Sequence, residues 1–255
     1  MRIQARTSLV LSRLRPSVCS PLLVANVRSI AAVQPQWVPP NCSFEIDDVE
    51  SDWLYRTNHF DFIHAREFLL SIRDWPRLIE QAYEHLKPGG YLELSCSVPD
   101  ACSDDGTVPE NGAWKEFTNV FFEIGNKIGA SGQAPKLWKS ELLSKGFDDV
   151  HEHVFKIPSS PWPRDRRLKH IGALEVANLD KGAEALLIRG MTGVLGRSKE
   201  EATVSPCMKG LLYGLTGSPR CYSPKQGRNL ATIVCMAISA CKSGYSPPKH
   251  LPNLA

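Results

Sequence analysis

A chain of 255 residues with 42% apolar and 22% charged residues has the length and composition to bury a sizeable core, which excludes a fibrous or wholly disordered protein. The formal net charge of +3 conceals a division: all 27 acidic residues lie between Glu45 and Glu201, where 19 Lys and Arg leave a net charge of −8, and both ends carry basic residues and no acid. Those basic residues stand singly among Ser, Pro and apolar residues, without clusters or interleaved aromatics, which argues against nucleic-acid-binding arms.

Residues 1–32, "MRIQARTSLVLSRLRPSVCSPLLVANVRSIAA", hold five Arg, no acid and many small hydroxyl residues. That is the composition of a mitochondrial transit peptide. An altered exon whose translation is basic by accident explains the same composition. The segment is expected to stand apart from the folded domain.

The acidic middle alternates strand and helix signals. "SFEIDD" predicts a short strand with Phe44 and Ile46 on one face and an acidic pair at its end. "FDFIHA", Phe60 to Ala65, predicts an inner strand covered on both faces. In "RDWPRLIEQAYEHLKPGG", Asp74 is placed to cap a helix and Pro76 sits in the first turn, where its missing N–H costs little. Leu78, Ile79, Ala82 and Leu86 form the apolar stripe of that helix, which is expected to stop at Pro88 before a sharp reversal at Gly89 and Gly90. "YLELSC" then predicts a third strand, and strand, helix, tight turn, strand is the unit of a parallel α/β sheet.

Two further helices are expected in "GAWKEFTNVFFEIGNKIG" and "APKLWKSELLSKG", followed by a strand in "FDDVHEHVFKIP". The tail, residues 213–255, is rich in Ser, Pro, Gly and Lys; its apolar run "LATIVCMAISAC" is too short to span a bilayer, and the tail is expected to be disordered. The eight cysteines contain no Cys-x-x-Cys pair and no His at zinc-finger spacing, which predicts reduced thiols in an intracellular protein and no metal site. No repeat is present.

In an open α/β sheet, ligands bind at the carboxyl ends of the strands. That rule selects Asp47, Asp48 and Val49 after the first strand, His64, Ala65 and Arg66 after the second, and Ser95 to Ser97 after the third.

The stretches "VQPQWVPPNCSFEIDDVESDW", "FDFIHAREFLLSIRDWPRLIEQAYEHLKPGGYLEL" and "PWPRDRRLKHIGALEVANLDKGAEALLIRGMTGVLGRSKEE" together resemble the fungal LaeA-like family of S-adenosylmethionine-dependent methyltransferases, over residues 33–212. The resemblance implies a class I, Rossmann-like open sheet and S-adenosylmethionine as cofactor. By position it makes "IDDVE" the adenine-reading loop, with Asp48 accepting the adenine amino group, and "FIHAR" the strand end bordering the methionine part, with His64 and Arg66 in the pocket. A carboxylate is a strong acceptor for an exocyclic amine, and His64 is suited to serve as the base of a methyl transfer to oxygen or nitrogen.

Two family features are missing or replaced. The acidic, glycine-rich loop expected upstream of "VQPQWVPPN" has no counterpart, since residues 1–32 contain no glycine, and the ribose-binding acid falls at about Ser29. The closing edge strand is replaced by "SPCMKGLLYGLTGSPRCYSPK". The sheet is accordingly expected to be incomplete at its N-terminal strands and C-terminal edge.

The implied function is small-molecule O- or N-methylation, or pathway support, in fungal secondary metabolism. The alternative is a non-catalytic accessory or regulatory protein that has lost cofactor binding and acts through a protein partner. A nucleotide-binding dehydrogenase is the weakest reading, because no Gly-x-Gly-x-x-Gly follows any strand. The expected setting is cytoplasmic or nuclear, or mitochondrial if the N-terminal segment acts as a leader, with no membrane partner.

Overall fold

The computed structural model describes residues 8–15, 18–25, 43–46, 48–103, 112–204 and 232–244. They fall into two compact units, one comprising Gln4–Cys96, Ala134–His153 and Ala237–Ala255, the other Met1–Ile3, Ser97–Gln133 and Val154–Met236.

The first unit holds most of an open sheet. Its strands are β1 (Ser8–Arg15), β2 (Val18–Ala25), β3 (Ser43–Ile46), β4 (Phe60–Arg66), β5 (Leu86–Cys102), β6 (Phe147–Pro158) and β7 (Thr232–Lys242), in the order β3-β2-β1-β4-β5-β7-β6. β4 and β5 are parallel and joined by helix α1 (Trp75–His85), the crossover unit expected from the sequence. β1 is antiparallel to both β2 and β4, and β2 is parallel to β3, so the sheet is mixed.

Composition set the two ends apart, and the structure brings both into this sheet. Residues 8–15 and 18–25 supply β1 and β2, whose Leu- and Val-rich stretches suit a pleated surface, and β1 lies beside β4, where it satisfies a row of backbone groups otherwise left at an edge. The tail expected to be disordered contributes β7 between β5 and β6. Its apolar run is too short for a bilayer and has the length of a strand, with Met236, Ile238 and Ala240 buried at alternate positions. No helix among the described residues is long and apolar enough to cross a membrane.

Helix α1 begins as its sequence dictates. Asp74 accepts a hydrogen bond from Arg77 N at 2.9 Å, Pro76 stands in the first turn, and Leu78, Ile79 and Ala82 are buried. It ends at His85, three residues before Pro88, because Leu86 is already extended and pairs with Phe60. Lys87 to Gly90 form an irregularity inside β5: Phe60 pairs with Leu86 and Phe62 with Tyr91. Gly89 has φ 80°, and a Cβ on Gly90 would stand 3.0 Å from Asp61 O, so both glycines serve the bulge and not a free turn. Lys87 Nζ bridges it to Asp61 at 2.7 Å.

Beyond the bulge β4 and β5 alternate cleanly. Ile63, Ala65, Leu92 and Leu94 point to the face that meets Trp53, Leu78, Ile79 and Ala82 around one apolar pocket. The opposite face carries Phe62, His64, Arg66, Tyr91, Glu93 and Ser95, none of them buried. The expectation that β4 is covered on both faces therefore holds for one face only. After the 3-10 turn Ala134–Lys136, helix α2 (Trp138–Ser144) also belongs to this unit, and Trp138 packs 4.8 Å from Trp75, centroid to centroid. The single helix expected over Ala134 to Lys145 is thus divided at Leu137.

The second unit holds helices α3 (Ala113–Ile128), α4 (Arg166–Gly193) and α5 (Lys199–Val204). Phe117, Val120 and Ile124 of α3 meet Leu187 and Met191 of α4 and Ala202 of α5 in a small core. Glycine permits two close approaches on α4: a Cβ on Gly190 would fall 2.4 Å from Ile124 Cδ1, and one on Gly172 only 2.2 Å from Ser160 O. Ser198 and Glu201 cap α5 reciprocally, Ser198 Oγ accepting from Glu201 N at 3.0 Å and Glu201 Oε2 from Ser198 N at 2.8 Å.

Candidate functional site at the carboxyl ends of the strands

Strands β3, β2 and β4 run in the same direction, with the antiparallel β1 between the last two. The loop after β3 and the end of β4 therefore share one edge of the sheet, three strand spacings or about 14 Å apart.

The loop after β3 is tied down by backbone recognition. Asp47 lies outside the described residues. Asp48 is exposed, and its Oδ1 accepts from Glu50 N at 3.0 Å. Val49 is buried, and its carbonyl accepts from Trp53 Nε1 at 3.1 Å and from Gln81 Nε2 at 3.4 Å. The same Gln81, buried on α1, accepts from Trp53 N at 2.9 Å. Glu50 Oε1 accepts from Arg73 N at 2.7 Å and Asp74 N at 3.2 Å, and Arg77 pairs with Asp52. Gln81 and Glu50 thus place the Asp48 turn by holding it to the start and middle of α1. Neither was selected from the sequence, because contacts over 23 to 32 residues leave no local signature.

At the end of β4, Ala65 is buried against α1 and Arg66 is exposed, so the "FIHAR" residues do not converge. Arg66 pairs in register with Ser95, and Ser95 O accepts from Glu67 N at 2.9 Å. Ser95 and Ser97 are half-buried on β5 and Cys96 is buried between them. Glu67 adopts φ 57°, an uncommon left-handed conformation for a non-glycine residue, where the chain turns away from the sheet.

His64 has a partner that sequence reasoning missed. Its Nδ1 lies 3.2 Å from Glu93 Oε1, the two residues being register partners on β4 and β5. The hydrogen bond from His64 holds the Glu93 carboxyl below its ordinary range; burial opposes the shift and the charge of His64 reinforces it. The side chains keep 21% and 40% of their exposure, so the pair is open to a ligand on the face away from α1. The available signal was the alternation of "YLEL", which puts Glu93 on the same face as a neighbouring polar strand residue. The pairing itself required the register.

No group of three or more His, Cys, Asp or Glu arranged to hold a metal ion occurs among the described residues, where Cys96, Cys102, Cys235 and Cys241 are not joined in disulfides. The strand beside β4 is β1, and because Ser8 pairs with Arg66 its carboxyl end lies at the opposite edge. Position 29, where the family places a ribose-binding acid, lies outside the described residues.

Residues 14–119 match the family model described as a methyltransferase domain. The chain is 42% identical over 183 residues to methyltransferase pytC of Aspergillus terreus, covering 72% of this chain and 56% of pytC. It is 30% identical over 158 residues to the probable methyltransferase tdiE of Emericella nidulans, covering 62% and 49%. It is 31% identical over 165 residues to the secondary metabolism regulator LAE1 of Cochliobolus heterostrophus, covering 64% and 53%. The chain spans about half the length of the curated relatives it matches. Among solved structures, phosphoethanolamine N-methyltransferase 2 of Haemonchus contortus superposes with a TM-score of 0.42 at 16% identity, over 80% of this chain and 38% of that one. By sequence, the chain is similar to fungal proteins named as methyltransferases and as regulators of secondary metabolism.

Proposed function

We propose that the chain is an S-adenosylmethionine-dependent methyltransferase of fungal secondary metabolism, acting on an oxygen or nitrogen of a small molecule. The observation that carries this reading is the pairing of a carboxylate-bearing turn, fixed on α1 by Gln81, with an accessible His64–Glu93 pair at the same sheet edge. Supporting it are the identities with pytC and tdiE and the match to the methyltransferase domain.

The donor set fits part of such a cofactor. Asp48 offers an exposed carboxylate to an exocyclic amine, and the rigid Val49 turn presents backbone groups beside it. His64 is placed to take a proton from an acceptor hydroxyl or amine. The cofactor, when bound, supplies an electrophilic methyl group on a sulfonium. Strand β1 supplies no glycine turn at this edge, so binding rests on the Asp48 turn and the strand ends.

That direction of β1 also favours a second reading, an accessory protein working without cofactor. Calorimetric titration of the folded chain with S-adenosylmethionine and its demethylated product separates the two. Micromolar binding, weakened about tenfold or more in Asp48→Ala by loss of a charge-assisted hydrogen bond, supports the first reading. Absence of binding by a chain with intact circular dichroism rejects it in favour of the second, and an Asp48→Ala variant that binds as tightly as the parent removes Asp48 from the site.

A further inference from the structure

We propose that Glu93 is a positioning residue for His64: it holds the proton on Nδ1 and so presents Nε2, with its lone pair, as the proton acceptor of the site. The inference deepens the reading given above and rests on it for the identity of the reaction.

Three observations carry the assignment. The 3.2 Å approach joins Nδ1, and not Nε2, to the carboxylate. The two residues are in register on adjacent parallel strands, so their separation is set by the sheet and not by flexible loops. The Phe62 ring lies 6.1 Å from the imidazole, centroid to centroid, at an interplanar angle of 22° and on the same face of the sheet. A carboxylate accepts only, so Nδ1 must donate to it, and in the neutral ring Nε2 is then the acceptor nitrogen.

The charged groups near His64 agree with this arrangement. On β5 the facing group is Glu93. On β1 the register partner is Val10, with Ser8 and Ser12 opposite Arg66 and Phe62. On β4 itself the neighbouring charge on this face is Arg66, one pleat further on. The hydrogen bond from His64 lowers the Glu93 pKa against the opposing effect of burial, which favours an ionised acceptor.

The proton transfer balances simply. The acceptor's O–H or N–H bond breaks, its electron pair stays on the acceptor atom, and a new N–H bond forms at Nε2. The resulting imidazolium is neutralised by Glu93, which keeps its own charge throughout.

The test is the tautomer of His64, read from two-bond 15N–1H correlations of the full chain above the pH at which the ring ionises. The Nδ1–H form should predominate in the parent. In Glu93→Gln and Glu93→Leu the ratio should shift toward Nε2–H by about tenfold, the factor expected for losing a hydrogen bond to a charged group, and Glu93→Asp should restore part of it. A parent ring in the Nε2–H form overturns the proposal even if the variants fail to fold, as does a ratio unchanged in folded variants. Titration of the parent with S-adenosylmethionine reports separately on the proposed function, so loss of one conclusion does not mask loss of the other.

Discussion

Lys242 and Leu86 meet at the junction of α1 and β5: Lys242 Nζ donates to the Leu86 carbonyl at 2.9 Å. The same ammonium donates to Tyr83 O at 2.7 Å and Asn58 Oδ1 at 3.0 Å, and lies 4.7 Å from the centroid of the Tyr83 ring. A basic residue from the tail thereby satisfies carbonyls left over at a helix end, where positive charge also complements the helix dipole. This contact ties β7 to the junction of α1 and β5.

Replacing Lys242 with Met keeps much of the stem and removes the donors. The expected cost is about 2 kcal/mol, from charge-assisted bonds to backbone acceptors at a partly buried helix end. Urea denaturation should show a lower midpoint with an unchanged slope. An unchanged midpoint would mean that water serves those carbonyls equally well.

Gln81→Ala should unfasten the Val49–Trp53 turn from α1. Leaving Trp53 N without its acceptor costs about 1–3 kcal/mol. Because Asp48 rides on that turn, affinity for S-adenosylmethionine should fall together with hydrogen-exchange protection of Trp53 N–H. Loss of protection with undiminished affinity would separate the turn from the site.

Glu141, on α2, has a buried Oε2 with no hydrogen-bond partner among the described residues, and burial, followed by the charge of Asp74, pushes its carboxyl pKa up. A carboxyl whose pKa is raised on folding penalises the folded state above its unfolded value near 4.5, and the penalty disappears below it. Glu141→Gln should therefore be more stable than the parent at neutral pH, with the difference shrinking as pH falls through that range. Equal denaturation midpoints at neutral pH would show that the carboxylate is solvated after all.

Gly172→Ala tests the approach of α4 to the chain at Ser160. In an exposed helix the substitution gains about 1 kcal/mol from propensity, but here the new Cβ would stand 2.2 Å from a backbone carbonyl. The expected net effect is destabilising by about 1–3 kcal/mol, visible as faster exchange in the first turns of α4. Gly182→Ala on the same helix, where nothing lies within 4 Å, should show the propensity gain instead.

The sequence by itself determined the local elements, because their causes are local. Asp74 and Pro76 start α1, the stripe of Leu78, Ile79 and Ala82 orients it, and "FDDVHEHVFKIP" forms a strand over the full expected span. It also determined the parallel β4–α1–β5 unit, because a strand returning through a helix has one favoured hand and direction. It misplaced the end of α1 and the role of Gly89 and Gly90, because a bulge is defined only against a partner strand, and Leu86 had to find Phe60. It set the two ends aside because composition weighs charge, whereas a sheet accepts any segment whose apolar positions and backbone groups meet its edge. Only the tertiary structure joined Glu93 to His64, Gln81 to Val49 and Lys242 to Leu86, since each bond depends on register or packing between segments far apart in the chain.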